Sequence, residues 1–387
     1  EEEEEEEEEE QLVIEEEEEN DSGKKKIITN LEREKMEYKS LLNQPKNENN
    51  FLYPNLNDPK FNIKIAEKKE FNDTQYDGEI HDVKEYSDIL CNAEFELAPH
   101  QLFVRNFLSF QTPYNSLLLY HGLGSGKTCS AISVAEEMRD YLKQLGIVNK
   151  IIVVASPNVQ NNFKLQLFDE RKLKLVDGLW NIRSCTGNKF IKEINPFNLK
   201  GLSKENVIYQ INQIIYKYYM FFGYVEFANY ISNSSSIEGA DTELSNKQKN
   251  NLIKRKLKKQ FNNRLVIIDE VHNIRITDDN QNKRVAQELF KLVQNVDNLR
   301  LLLLSATPLY NSYKEIIWLV NIMNLNDRRP TITVKDVFNN DGTFKINKKG
   351  EEVGKELLER KATGYVSFVR GENPYTFPYR IWPHEFS

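Results

Sequence analysis

The sequence predicts an α/β fold, a mainly parallel sheet with helices on both faces. Three observations carry that prediction. Four short runs, 116–120, 151–155, 265–268 and 301–304, are continuously apolar rather than alternating, as strands buried on both faces are. Segments of helical character separate them. A glycine-rich turn ending in Lys-Thr directly follows the first run.

The elements follow in order. Residues 1–20 hold 15 Glu and neither Lys nor Arg, so like-charge repulsion predicts a disordered acidic tail. Without it, 52 basic residues face 44 acidic ones, and the body of a chain whose net charge is −7 is itself mildly basic. Such a body suits a polyanionic partner. Residues 21–90 stay rich in Lys, Asn, Asp and Glu, with scattered apolar residues (Leu41, Phe51, Tyr53, Phe61, Phe71), and read as linker with a few anchoring segments. From 97 to 110, Leu102, Phe103, Phe107 and Leu108 recur at helical spacing. Residues 128–145 read as a helix after the glycine turn, and 207–219 as another. About 110 residues part the second and third runs, long for one crossover, so extra elements are expected there. Among them, 232–246 reads as a surface loop and 247–264 as a basic helix. After Leu325 the pattern weakens, with Asp341-Gly342 as a candidate hairpin turn between 334–338 and 344–346. The resulting division is a tail and linker (1–90), a nucleotide-binding lobe (91–325) and a connecting segment (326–387).

Several classes are excluded. The longest apolar stretch, 214–231, is broken by Lys217 and Glu226, so no membrane span or membrane partner is expected. No basic-then-apolar leader opens the chain. Cys91, Cys129 and Cys185 stand far apart and cannot build a disulfide framework or a CxxC zinc site, which points to a reducing, intracellular setting. A first residue of Glu rather than Met leads us to expect a processed product or a fragment.

Three motifs carry chemistry. In 121–128 (HGLGSGKT), Gly122, Gly124 and Gly126 allow a tight turn whose N–H groups point inward, with Leu123 and Ser125 between them. The following helix presents its positive end there, Lys127 can reach β- and γ-phosphates, and the Thr128 hydroxyl can ligate Mg²⁺. His121 stands where the full phosphate-loop pattern has Gly. Asp269-Glu-Val-His272 directly follows the third run, where carboxylates face the ligand crevice of a parallel sheet. Asp269 suits a Mg²⁺ holder, Glu270 a base or water orienter, and His272 a relay to the next strand. Ser305-Ala-Thr307 follows the fourth run and sets two hydroxyls at the same edge, either as coupling groups or as an ordinary turn.

Together, HGLGSGKT, DEVH and SATPLYNS resemble the superfamily 2 helicases, and more narrowly the Swi/Snf-like helicases and ATPases of large DNA viruses. That group includes the poxvirus early transcription factor small subunit and nucleoside triphosphate phosphohydrolase I. The resemblance extends from about Leu97 to Tyr379 and takes in 368–374 (FVRGENP). It implies a RecA-like lobe that binds ATP and Mg²⁺, in which Gln101 reads adenine and Ser156, Pro157 and Asn158 touch the nucleic-acid backbone, DNA rather than RNA. It also implies a second RecA-like lobe, in cis or trans, that supplies arginines to the phosphoryl group, together with viral transcription machinery as partner and the virion or host cytoplasm as location. No second sheet pattern follows Leu325, so the chain is expected to be the first lobe and nearly inactive by itself.

Two further features stay open. The basic segment with Lys247, Lys249, Lys254, Arg255, Lys256, Lys258, Lys259 and Arg264 is either a phosphate-binding stripe or a solvated helix face. The aromatic residues Tyr216, Tyr218, Tyr219, Phe221, Phe222, Tyr224 and Phe227 favour core packing over base stacking. The preferred function is the ATP-binding lobe of a nucleic-acid-dependent helicase or translocase. The alternative is a non-catalytic subunit that docks nucleotide or DNA in a viral transcription or assembly complex.

Overall fold

The four apolar runs are strands, and they lie in one parallel sheet. The computed structural model describes residues 16–18, 26–43, 53–76, 82–92, 96–122, 124–237, 245–274, 280–308 and 312–369. Most of the Glu-rich tail, Leu123, part of the 232–246 loop, 309–311 and 370–387 lie outside these. The strands, in chain order, are β1 (Glu16–Glu18), β2 (Lys26–Ile28), β3 (Ser116–His121), β4 (Ile151–Val154), β5 (Leu173–Val176), β6 (Leu179–Ile182), β7 (Tyr219–Phe222), β8 (Leu265–Ile268), β9 (Arg300–Ser305) and β10 (Val366–Val369). The main sheet runs β10-β3-β9-β8-β4-β7, every neighbouring pair parallel. β1–β2 and β5–β6 form two small antiparallel pairs.

Continuous apolarity has a direct cause here: alternate residues feed two separate cores. Leu117, Leu119, Val153, Ile267 and Leu302 pack on one face with helices Pro99–Phe107, Lys127–Gln144 and Lys204–Tyr218. Leu118, Ile152, Val266, Ile268 and Leu303 pack on the other with helices Tyr224–Ser235, Asn246–Phe261, Asn280–Asn295 and Glu315–Asn326. The middle of each central strand is therefore apolar on both faces, and buried polar residues such as Ser116, Arg300 and Ser305 sit at strand ends.

Several sequence expectations need correction. The apolar stretch 214–231 is not one unit: β7 occupies its middle as an edge strand, and a helix with Gly223 at its N-cap follows. That helix takes residues up to Ser235 out of the expected surface loop. A second edge strand, β10, lies within the expected connecting segment and extends the same sheet beside β3, a strand the sequence reading did not place. Residues Val334–Val337 form a helical turn rather than a strand, because Asp336 closes it by accepting from the Thr333 backbone N–H at 2.7 Å. The Asp341-Gly342 turn is present, with Gly342 at φ 83°, and supports only the Phe338–Phe344 bridge. Asp177-Gly178, between β5 and β6, is a two-residue hairpin turn with both residues at positive φ. Cys129 and Cys185, 56 residues apart in sequence, are disulfide-bonded with Cα atoms 5.2 Å apart, a pairing that spacing alone could not reveal.

The segment read as linker is anchored. Phe61, Ile65 and Phe71 enter the first core, and the helix Asn30–Asn43 docks through Glu34, which pairs with Arg329 at 2.8 Å and with Lys361. Among the described residues, no helix is long and apolar enough to cross a membrane.

Candidate nucleotide-binding site

β3 ends at His121, and the chain turns through Gly124 (φ 75°) and Gly126 (φ 78°) into the helix Lys127–Gln144. Both glycines occupy the left-handed region, which a side chain resists. At Gly126 a Cβ would also come within 2.4 Å of the Gln101 amide nitrogen, so a larger residue there would displace the Gln101 side chain from its bond to the loop. Gln101 is buried, accepts from the Ala98 N–H at 2.9 Å and donates to the Gly126 carbonyl at 3.1 Å. Ser125 donates to the Gly122 carbonyl at 2.8 Å.

Lys127 donates its ammonium to the carbonyls of His121 (2.8 Å) and Gly122 (3.2 Å). Burial lowers its pKa, and the carboxylates of Glu270 and Asp269 act in the opposite sense. The structure thus brings the loop lysine and both motif carboxylates into one electrostatic unit across 142 residues of sequence. Thr128 stands in the first turn of the same helix.

Asp269 and Glu270 leave the C-terminal end of β8. Asp269 is buried, and burial, with Glu270 beside it, pushes its carboxyl up to about 6. Its Oδ1 accepts the Glu270 backbone N–H at 2.9 Å. Glu270 sits in the left-handed region at φ 50°, ψ 53°, an unusual backbone for a side-chain-bearing residue and one that aims successive groups differently from a strand. From Glu270 a polar chain runs to the next strand. Its carboxylate lies 3.2 Å from His272 Nδ1, which lies 2.9 Å from Ser305 Oγ, and Ser305 Oγ accepts the Thr307 backbone N–H at 3.0 Å.

Ser156, Pro157 and Asn158 lie farther along the same sheet edge. Ser156 is the N-cap residue of the helix Pro157–Leu167, and Pro157 and Asn158 are exposed. None of the three forms a hydrogen bond or ion pair with Lys127, Asp269 or Glu270. The aromatic residues divide: Tyr218, Tyr219, Phe222 and Phe227 are buried, whereas Tyr216 is 74% exposed beneath the Lys150 ammonium. In the basic helix, Lys258 pairs with Asp297 and Lys256 donates to the Ser236 carbonyl, while Lys247, Lys254, Arg255 and Lys259 are exposed.

Four residues of the site escaped the sequence reading. His100 Nε2 lies 2.9 Å from the Ser125 carbonyl, and Tyr76 stacks on the His100 ring with its hydroxyl 2.6 Å from Nδ1. Tyr224 donates to the Asp269 carbonyl at 2.8 Å and so fixes the backbone between the two carboxylates. Ser367 of β10 lies 2.9 Å from His121 Nε2. His100 stands beside Gln101, Tyr224 was read only among the aromatic core residues, and nothing local marks Tyr76 or Ser367.

A family model described as the SNF2-related domain matches residues 100–360, more than half of the chain and all three motifs. The chain belongs to this family. Its SNF2-related domain is similar to a candidate ATP-dependent RNA helicase of Acanthamoeba polyphaga mimivirus, 26% identical over 339 residues, covering 82% of this chain and 26% of the relative. It is also similar to a candidate helicase of Invertebrate iridescent virus 3 (26% identical over 282 residues, 71% of this chain, 23% of the relative). An early transcription factor large subunit homolog of African swine fever virus is 26% identical over 322 residues, covering 73% of this chain and 28% of the relative. The chain thus spans only about a quarter of the length of these curated relatives. Among solved structures, the Sulfolobus solfataricus SWI2/SNF2 ATPase core in complex with dsDNA aligns with a TM-score of 0.39 and 15% identity, over 72% of this chain and 45% of that one.

Proposed function

We propose that this SNF2-related domain is the ATP-binding lobe of a nucleic-acid-dependent ATPase, a helicase or translocase serving viral transcription or replication. The observation that carries the reading is Lys127 on a glycine turn at a helix N-terminus, with Asp269 and Glu270 acting on it. One ammonium among two carboxylates, one of them pushed up to about 6, is a site short of positive charge. A divalent cation held by Thr128 and Asp269 and completed by phosphate oxygens and water fits that deficit. Bound there, Mg²⁺ would neutralise charge on the transferring phosphoryl group.

The chain's own groups then take separate parts. Lys127 exchanges its carbonyl partners for phosphate oxygens. Glu270 orients the attacking water, and its contact with His272 carries the change to Ser305 and Thr307 on the neighbouring strand. Gln101 holds the loop through Gly126 and borders the adenine end. Ser156, Pro157 and Asn158 offer an exposed helix N-terminus to a phosphate backbone. A second RecA-like lobe, in cis or trans, belongs to this proposal as the source of arginines. The viral helicase and transcription-factor names of the relatives support the nucleic-acid assignment.

Calorimetry of ATP binding in Mg²⁺ tests the reading. Lys127→Ala removes a charge-assisted hydrogen bond worth about 1.5–3 kcal/mol, so affinity should fall roughly 10–150-fold. Equal affinity of variant and parent would overturn the site, and parallel titrations with DNA and RNA decide the nucleic acid.

A further inference from the structure

The residue that departs from the phosphate-loop pattern is also the one tied to the far end of the chain. His121 is fully buried at the end of β3, and its backbone carbonyl holds the Lys127 ammonium at 2.8 Å. Its Nε2 meets Ser367 Oγ at 2.9 Å, across 246 residues of sequence, and its Nδ1 has no hydrogen-bond partner. The ring packs edge-on against His100, which in turn bonds the Ser125 carbonyl. Burial, with His100 and Lys127 nearby, pushes the imidazole down to about 4, so the ring is neutral near pH 7 and a serine hydroxyl can serve either of its protonation patterns.

The partner strand is an edge strand anchored mainly at its base, where the fully buried Tyr365 accepts the Leu118 N–H at 2.7 Å. β10 is an edge strand whose Val366 and Phe368 are 39% and 58% exposed. Beyond Tyr365, its parallel ladder to β3, the Phe368 ring against Tyr120 and the Ser367 hydroxyl position it. Edge elements with little burial open at low free-energy cost. A side chain that joins such a strand to the first residue of the phosphate loop can transmit its position to the lysine.

We propose that His121 and Ser367 are positioning residues forming a latch between β10 and the phosphate loop, so that docking of β10 and binding of nucleotide favour each other. With the latch made, the His121 carbonyl and the loop that follows are held ready, and less freedom is lost when ATP binds. Linkage requires the reverse effect: bound ATP must hold β10 more firmly.

The inference rests on the ATP-binding reading of the loop, and the test separates the two. ATP affinity in Mg²⁺ is measured by calorimetry for the 387-residue chain and for Ser367→Ala, Ser367→Thr, His121→Ala and the double alanine variant. Loss of one hydrogen bond should raise the Kd about three- to tenfold in Ser367→Ala, and Thr, which keeps the hydroxyl, should restore it to within about twofold. The double variant should be no weaker than His121→Ala alone. Amide hydrogen exchange in β10 should slow on adding ATP to the parent but not to Ser367→Ala. If His121→Ala does not fold, the Ser367 pair and the exchange experiment decide. Parent-like affinity in Ser367→Ala overturns the latch while leaving the ATP site standing. So does weakened binding that Thr does not rescue, with exchange unresponsive to ATP, because that pattern means strand packing alone. A parent without affinity for ATP overturns both.

Discussion

The two ends of β9 bury polar groups in opposite ways. At its start, Arg300 gives its guanidinium to the backbone carbonyls of Tyr114 (2.6 Å), Thr112 (2.9 Å) and Ser109 (3.3 Å) and to the Asn115 side chain, and its plane lies over Phe110. Asn326 donates to the Leu299 carbonyl and Ser116 Oγ, while Asn115 donates to Asp327. At its other end, Ser305 belongs to a group in which two carboxylates share one lysine and Asp269 is pushed up to about 6. The first cluster is closed, with most of its donors spent on fixed acceptors. The second is open: Lys127 bonds only backbone carbonyls, and burial holds the Asp269 carboxyl up to about 6. A closed cluster is expensive to break, whereas an open one costs stability for the sake of binding.

The largest expected effect is at the closed end. Arg300→Met leaves buried carbonyls without donors and should cost about 3–5 kcal/mol in urea unfolding, as broken buried charged networks do. Below its unfolding transition the variant should bind ATP as the parent does. A small stability loss, or a large affinity loss, would break the contrast between the two ends.

Asp269→Asn should have the opposite sign. The folded state raises this carboxyl from 3.8 to about 6, so the fold favours its protonated form. Stability contributed by the proton is fully present below pH 3.8 and is lost as pH rises through about 6. In EDTA and without nucleotide, Asn should therefore stabilise the protein by on the order of 2 kcal/mol above pH 6–7 and by almost nothing below pH 4. Unfolding midpoints across pH measure this, and a variant that loses stability at pH 7.5 would make the carboxylate part of a closed network.

Tyr224→Phe sharpens the comparison with the smallest effect. The hydroxyl donates to the Asp269 carbonyl, a closed bond inside the open end. Its loss should cost about 0.5–1.5 kcal/mol in the same unfolding assay. A gain would show that even the backbone of this end is held under strain.

The placement of the three motifs at strand ends was legible because each motif is local. A buried strand, a turn and a helix N-terminus together constrain 121–128, and Asp269 and Glu270 directly follow an apolar run. The edge strands were not legible. β7 lies inside an apolar stretch next to a helix, and β10 is short, with Val366 and Phe368 exposed and Ser367 and Val369 only half-buried, so its apolar residues do not mark a core face. The disulfide of Cys129 with Cys185 and the docking of Glu34 on Arg329 and Lys361 join residues that no spacing rule connects. The basic helix was half legible: its charge is visible in sequence, but the pairing of Lys258 with Asp297 is not.

By itself the sequence determined where the sheet's core strands lie, where backbone must turn through glycine, and which lysine and carboxylates stand at strand ends. Short-range sterics and burial periodicity act over a few residues, so they can be read from a few residues. Only the tertiary structure decided which ends meet: Lys127 with Asp269 and Glu270, His272 with Ser305, and His121 with Ser367. Those meetings depend on strand order and on closing loops of tens to hundreds of residues, whose entropy varies slowly with length and leaves no local signature.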